Sequence, residues 1–149
     1  MKTKIIMTLI TLGLIAFVVI VSLTSNSSEG DHPTIEDIVF EEGVVNIYYF
    51  WQYGCPHCDA QFEFLERIEA EWGAYFTVYA FEVASNRDNA RLLNEVAGLL
   101  DTHVGGIPFT IIGEQTFTGF TERMEDGFIN AIRNGRNHDF DVFRDLVEQ

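Results

Sequence analysis

Cysteine is nearly absent from this 149-residue chain: there are two, Cys55 and Cys58, with two residues between them. A multi-disulfide scaffold is therefore excluded, and a four-cysteine zinc site as well, because no second pair exists. The histidines outside this pair, His32, His103 and His138, are scattered. Lysine is missing from the whole chain after Lys4. The 23 acidic residues all follow the N-terminal apolar run and face seven arginines there, a balance of 7 − 23 = −16. So acidic a surface makes nucleic acid an unfavourable partner and keeps the domain soluble. Internal repeats and low-complexity tracts are also missing, and the length allows one domain plus an appendage.

The appendage is the run Ile5–Leu23, which is almost wholly apolar and carries no charge. Its 19 residues can span a bilayer and exceed the usual signal-peptide core of roughly 7–15. Lys2 and Lys4 precede it, and the next basic residue is Arg67, an asymmetry that places the following domain outside the cytoplasm. No Ala-x-Ala site follows, although Ser25-Asn26-Ser27 is a tolerable substitute. An uncleaved single-pass anchor in the cell membrane is favoured over a removed signal and secretion. The expected organisation is a transmembrane anchor or signal segment at 1–24, a Ser-, Asn- and Gly-rich tether at 25–35, and a folded domain at 36–149.

Within that domain, Thr34–Glu42 fits a strand or a short helix. Val44–Trp51 reads as a central strand covered on both faces, because its apolar character is nearly continuous. Pro56 to about Trp72 reads as a helix with Phe62, Leu65, Ile68, Glu69 and Trp72 along one stripe. Tyr75–Val83 follows as a strand, and a helix starts near Asn86 and buries Leu92, Leu93, Val96, Leu99 and Leu100. Gly105-Gly106-Ile107-Pro108 opens another short apolar strand. Glu114-Gln115 is the expected turn into an antiparallel partner, Thr116–Phe120. Thr121 can cap a helix ended by Gly135 at C′, and a short helix at 139–149 closes the chain. Alternating strands and helices followed by a hairpin predict an α/β domain with a central mixed sheet flanked by helices.

The chemistry concentrates where the first strand meets the first helix, at Trp51-Gln52-Tyr53-Gly54-Cys55-Pro56-His57-Cys58. Cys55 is placed as N-cap, its sulfur facing unpaired backbone N–H groups and the positive end of the helix dipole, which favours thiolate over thiol. The Cys55 pKa should then fall below the free value of about 8.5. Pro56 suits the first helical position. His57 brings a donor, charged when protonated, beside the same sulfur, and Cys58 is placed to resolve a mixed disulfide. An inert structural disulfide and half of a metal site, such as a Cu(I) or zinc carrier using Cys55, Cys58 and His57, remain as alternatives, as does a redox-inert docking domain on the membrane. Haem attachment is rejected because Asp59, not histidine, follows the pair.

Phe50-Trp51 through Cys58, then Gly106-Ile107-Pro108, then Gly119, resemble the landmarks of the thioredoxin-like superfamily in order, over about Val44–Arg133. The Cys-Pro-His-Cys sequence is similar to that of DsbA-type exported thiol oxidases. The resemblance implies a cis Ile107–Pro108 peptide packed against Cys55, with the Ile107 backbone pairing with an extended substrate segment. It implies catalytic roles for Cys55, Cys58, His57 and Pro56, and substrate contacts from Gly106, Ile107, Pro108, Trp51 and Tyr53. No metal or cofactor beyond the redox-active disulfide is implied. Partners would be cysteine-containing proteins and a redox protein that recycles the disulfide, with the chain itself a monomer. The expected activity is extracytoplasmic thiol–disulfide exchange, leaning towards oxidation.

The sequence departs from the pattern in three places. Only 49 residues separate Cys58 from Pro108, so the large helical insertion of DsbA enzymes is missing. Tyr49 stands where a buried acid is usual, with Glu82 on the next strand as a candidate replacement. Gly54 replaces a tryptophan before the motif, leaving Trp51 and Tyr53 as candidates for the rim.

Overall fold

A computed structural model of the chain describes residues 33–147. The expected membrane span and most of the tether lie outside these residues. Among the described residues no helix is long and apolar enough to cross a membrane.

The elements run β1 (Val45–Trp51), α1 (Pro56–Trp72), β2 (Phe76–Glu82), α2 (Arg87–Leu99), β3 (Phe109–Ile112), β4 (Gln115–Thr118), α3 (Glu125–Gly135) and α4 (Val142–Val147). The strand order is β2-β1-β3-β4; β1 and β2 are parallel, while β3 is antiparallel to both β1 and β4. This is the expected mixed sheet with helices around it. β1 takes the interior position because it is apolar on both faces, and only Trp51 at its end is not fully buried.

Side chains alternate across the sheet and divide the core in two. Tyr48 and Phe50 of β1 join Tyr79 and Phe81 of β2, Leu92, Leu93 and Val96 of α2, and Phe143 of α4 on one face. Val45 and Ile47 join Phe64, Leu65 and Ile68 of α1 and Phe128 and Ile132 of α3 on the other. Further along that second face the line continues through Tyr49 and Trp51 to the two cysteines. The core that holds α1 against the sheet therefore leads directly to the motif.

Several local expectations are corrected. Phe62 is 49% exposed, whereas Gln61 and Phe64 are inside. The inward line of α1 runs through Cys58, Gln61, Leu65 and Ile68, and Phe62 sits roughly 80° around the helix from its centre. Leu99 is exposed at the end of α2. The hairpin turn falls on Gly113-Glu114, one residue early, because Gly113 supplies the positive φ of +59° that a two-residue hairpin needs at its first central position. Thr121 precedes a 3₁₀ turn, Glu122–Met124, without a side-chain cap bond, and Gly135 is the last residue of α3 rather than its C′. Thr34–Glu42 holds one 3₁₀ turn, Ile35–Asp37, and no strand.

A polar cluster ties the C-terminal helix to the start of β1. The Tyr48 hydroxyl lies 2.6 and 2.7 Å from the two Asp141 carboxylate oxygens. Asn46 Nδ2 donates to Asp141 Oδ2 at 3.0 Å and to the Val39 carbonyl at 3.1 Å. The Phe143 N–H also donates to Asp141, at 2.9 Å. Burial first, and the Asp141 charge second, push the Tyr48 phenol far above the ordinary tyrosine range, so it remains a donor. Replacing Asp141 by alanine leaves the buried Tyr48 hydroxyl without its acceptor and takes from Asn46 one of its acceptors, the Val39 carbonyl remaining. Urea unfolding of Asp141→Ala should show a loss of about 2–4 kcal/mol, and Asp141→Asn a smaller one.

Candidate active site

β1 ends at Trp51, and the chain must turn sharply to start α1 at Pro56. Gly54 makes the turn with φ +69°, a left-handed conformation that glycine adopts without strain. Space does not select it, since an added Cβ would meet nothing within 4 Å. Cys55 is then the N-cap of α1 and Pro56 its first residue. The fixed φ of proline fits there and its missing N–H leaves nothing unpaired.

Cys55 and Cys58 form a disulfide with their Cα atoms 5.2 Å apart. The Cys58 backbone N–H donates to Cys55 Sγ at 3.1 Å. The first turn of the helix thus presents both an N–H group and its positive end to that sulfur. Cys55 is 7% exposed and Cys58 only 1%. On its outer side, Cys55 Sγ lies 3.9 Å from the Ile107 carbonyl oxygen. The Ile107–Pro108 peptide is cis, Pro108 is buried, and Ile107 packs against the cysteines. The structure thus brings together Cys55, Cys58, Ile107 and Pro108, which are far apart in sequence. Gly106 lies beside Thr118 at the start of this loop.

His57 is exposed, and its Nδ1 lies 3.0 Å from the Phe120 carbonyl oxygen. A carbonyl only accepts, so Nδ1 carries the proton and donates. The donor expected beside the sulfur is directed instead to the backbone after β4. Trp51 packs against the cysteine cluster, and Tyr53, 69% exposed, meets it edge-on with ring centres 4.7 Å apart.

Tyr49 occupies the usual place of the acid without its chemistry. It is buried, and its hydroxyl donates to the Cys58 carbonyl at 2.8 Å. Burial, followed by the nearby Asp59 carboxylate, holds the phenol well above the ordinary tyrosine range, so it stays neutral. Glu82 ends the edge strand β2 but is not a surface carboxylate: it is 1% exposed and accepts the N–H groups of Ala84, Ser85 and Asn86 at 2.8–3.1 Å. These bonds fix the loop that leads into α2.

Sequence reasoning missed Gln61. It is fully buried one turn beyond Cys58, and its Nε2 donates to Thr110 Oγ1 of β3 at 2.7 Å. This bond pins α1 to the strand that carries Pro108. The available signal was the i, i+3 spacing from Cys58, which places a polar residue on the inward face. Gln61 Oε1 has no partner among the described residues, and neither has the buried Trp51 Nε1.

The mixed-sheet strand order, the cysteine pair at the first strand–helix junction and the cis-proline beside it are the arrangement that the resemblance to thioredoxin-like domains implies. No family model matches the chain, and no curated protein matches it. Solved structures do resemble it. A protein of Chlorobium tepidum described as the thiol:disulfide interchange protein DsbE gives a TM-score of 0.49 at 17% identity, covering 64% of this chain and 82% of that one. An uncharacterized thioredoxin-like protein of Clostridium perfringens gives 0.45 at 19% identity, covering 66% and 79%. The glutaredoxin of Archaeoglobus fulgidus gives 0.44 at 15% identity, covering 72% and 99%. Any functional reading rests on the site's own geometry.

The Gln61–Thr110 pair makes an asymmetric test of that geometry. Thr110→Val removes the acceptor and strands the buried amide, at about 1–3 kcal/mol of stability. Gln61→Leu removes both partners' demands except one hydroxyl and should cost clearly less. Denaturant midpoints at equal slopes check the order.

Proposed function

We propose that this chain is a thiol–disulfide oxidoreductase that exchanges its Cys55–Cys58 disulfide with cysteines of protein substrates, in the oxidising direction. The observation that carries the reading is the disulfide at the N-terminus of α1, with an amide N–H on its outer sulfur and a cis-proline loop against it.

A substrate thiolate attacks Cys55 Sγ, the Cys55–Cys58 bond breaks, and Cys58 leaves with the electron pair and takes up a proton. A second substrate thiolate then attacks the substrate sulfur of the mixed disulfide and expels Cys55 as a thiolate. The substrate gains a disulfide and loses two electrons; the domain gains them as a dithiol. A separate redox protein must remove those electrons before the next cycle. Each group has a part. The helix N-terminus stabilises the leaving Cys55 thiolate, and the charge of protonated His57 adds to it, which favours the dithiol and makes the disulfide oxidising. The Ile107 backbone offers an edge to an extended substrate segment. Trp51 and Tyr53 form an aromatic border beside the reacting sulfur.

The N-terminal run Ile5–Leu23, with its two preceding lysines, supports a membrane-anchored, extracytoplasmic location, where a dithiol can cycle through its oxidised form. We read the chain as a monomer that needs no cofactor beyond its own disulfide.

Cys55→Ser and Cys58→Ser should each abolish thiol oxidation. In Cys58→Ser the lone Cys55 thiolate, attacking the disulfide of an already oxidised substrate and expelling one of its thiols, should accumulate mixed disulfides that no inner thiol can resolve, visible on non-reducing gels. Thiolate absorbance of the reduced protein should titrate below about 8.5 for Cys55. His57→Ala should lower the midpoint potential, by on the order of 30 mV, measured in glutathione buffers. A wild-type potential as low as that of thioredoxin, about −270 mV, would reverse the assigned direction.

A further inference from the structure

The thiol–disulfide reading leaves one built feature unexplained. Along the Cys58 flank of α1 runs an open groove of about 570 Å³. Its floor is Tyr49, Trp51 and Ala80 from the sheet, with Cys58 at its inner end, and Phe62 forms its outer wall. Phe62 is 49% exposed, although it lies on a helix whose other large apolar residues near the motif, Phe64 and Leu65, are inside. Apolar surface left open beside a reactive pair is what a binding groove requires.

The rim has one sign. Asp59, Glu63 and Glu66 border the groove, all three exposed. Their spacing of four and three residues stacks them on one side of α1, where like charges destabilise a helix by a few tenths of a kcal/mol per pair. Among the described residues no ion pair neutralises them. Arg67, the only arginine or lysine on α1, reaches Glu125 of α3 at 2.6 Å on the other flank. The remaining ion pairs among the described residues, Arg91–Asp88 and Arg144–Asp139, lie elsewhere.

Resting on the thiol–disulfide reading, we propose that this groove docks a segment of the protein partner that carries basic and aliphatic or aromatic side chains. The apolar floor takes the apolar side chains and the three carboxylates meet the cations. A second copy of this chain would bring the same acidic rim, and an anionic bilayer would be repelled, so neither satisfies the charge. The groove also has an outlet to the chemistry. Trp51 lines it and meets Tyr53, two residues before Cys55, so a docked segment continues over an aromatic edge to the reacting sulfur.

The test uses the full-length disulfide form and three dithiol peptides with identical cysteines, differing only in a tail of Leu-Lys, Leu-Glu or Ser-Lys repeats. Peptide oxidation is followed in stopped flow, with reduction of the protein by dithiothreitol as the reference. At low ionic strength the Leu-Lys peptide should react about tenfold faster than the Leu-Glu peptide, with the advantage shrinking as salt is added. The Ser-Lys peptide should fall between them. The double variant Glu63→Lys, Glu66→Lys should reverse the charge preference, and Phe62→Ser should remove the preference for leucine over serine, both at wild-type rates with dithiothreitol. Equal rates for all three tails, with the dithiothreitol reaction intact, overturn the docking site alone. A wild-type disulfide that dithiothreitol reduces but no peptide can exchange with overturns the oxidoreductase reading instead. A wild-type dimer in sedimentation that Phe62→Ser converts to monomer gives the groove to a second copy and also overturns the proposal.

Discussion

The Cys58 amide held 3.1 Å from the Cys55 sulfur is the contact on which the rest of the site depends. It exists only because a central strand stops and a helix starts within four residues, and that junction is fixed from both sides. β1 is held between β2 and β3, and α1 is held by Phe64, Leu65 and Ile68 in the core below. The cis-proline loop arrives at the same place through pairing register. Phe50 of β1 faces Phe109 of β3 in an antiparallel pair, so the residues after β1 necessarily neighbour those before β3. Cys55 and Ile107 meet because two strands align, not because either loop seeks the other.

Much of this was legible in the sequence, for identifiable reasons. The apolar run from Val45 to Phe50, interrupted only by Asn46, announced a central strand, and Pro56 after a potential cap announced the helix start. Gly106-Ile107-Pro108 announced the loop. What could not be read was rotation and capping. Phe62 is more apolar than Gln61, so hydropathy alone turned α1 the wrong way. Gln61 is inside because Thr110, 49 residues away, receives its amide, and no local pattern carries that information. His57 sits beside the cysteine in sequence, yet its ring nitrogen is claimed by the Phe120 carbonyl, a partner visible only once the hairpin folds back. The hairpin turn itself shifted by one residue, since Gly113 and not the more polar pair after it could take a positive φ.

The surroundings of the inner cysteine are polar without being charged. Tyr49, kept neutral by burial, donates to the Cys58 carbonyl, and the Gln61–Thr110 bond lies one turn further on. Such groups can orient a thiol and accept its hydrogen bond, but they do not remove its proton at neutral pH. The nearest carboxylates on the same helix, Asp59 and Glu63, are on the exposed side. Glu82, the buried acid of the adjoining strand, accepts three amides of the loop ahead of α2. The Cys58 carbonyl is thus held by a neutral phenol, with the Gln61–Thr110 bond one turn beyond it.

The unequal burial of the two sulfurs has a regiochemical consequence. With Cys58 1% exposed and Cys55 the outer atom, the disulfide presents a single electrophilic centre to solvent. Cleavage by any external nucleophile then yields one covalent adduct instead of two positional isomers, with the leaving group always the same enclosed atom. In the proposed exchange, every cargo is accordingly tethered through the same stem and meets the same neighbouring backbone edge, whatever its own sequence.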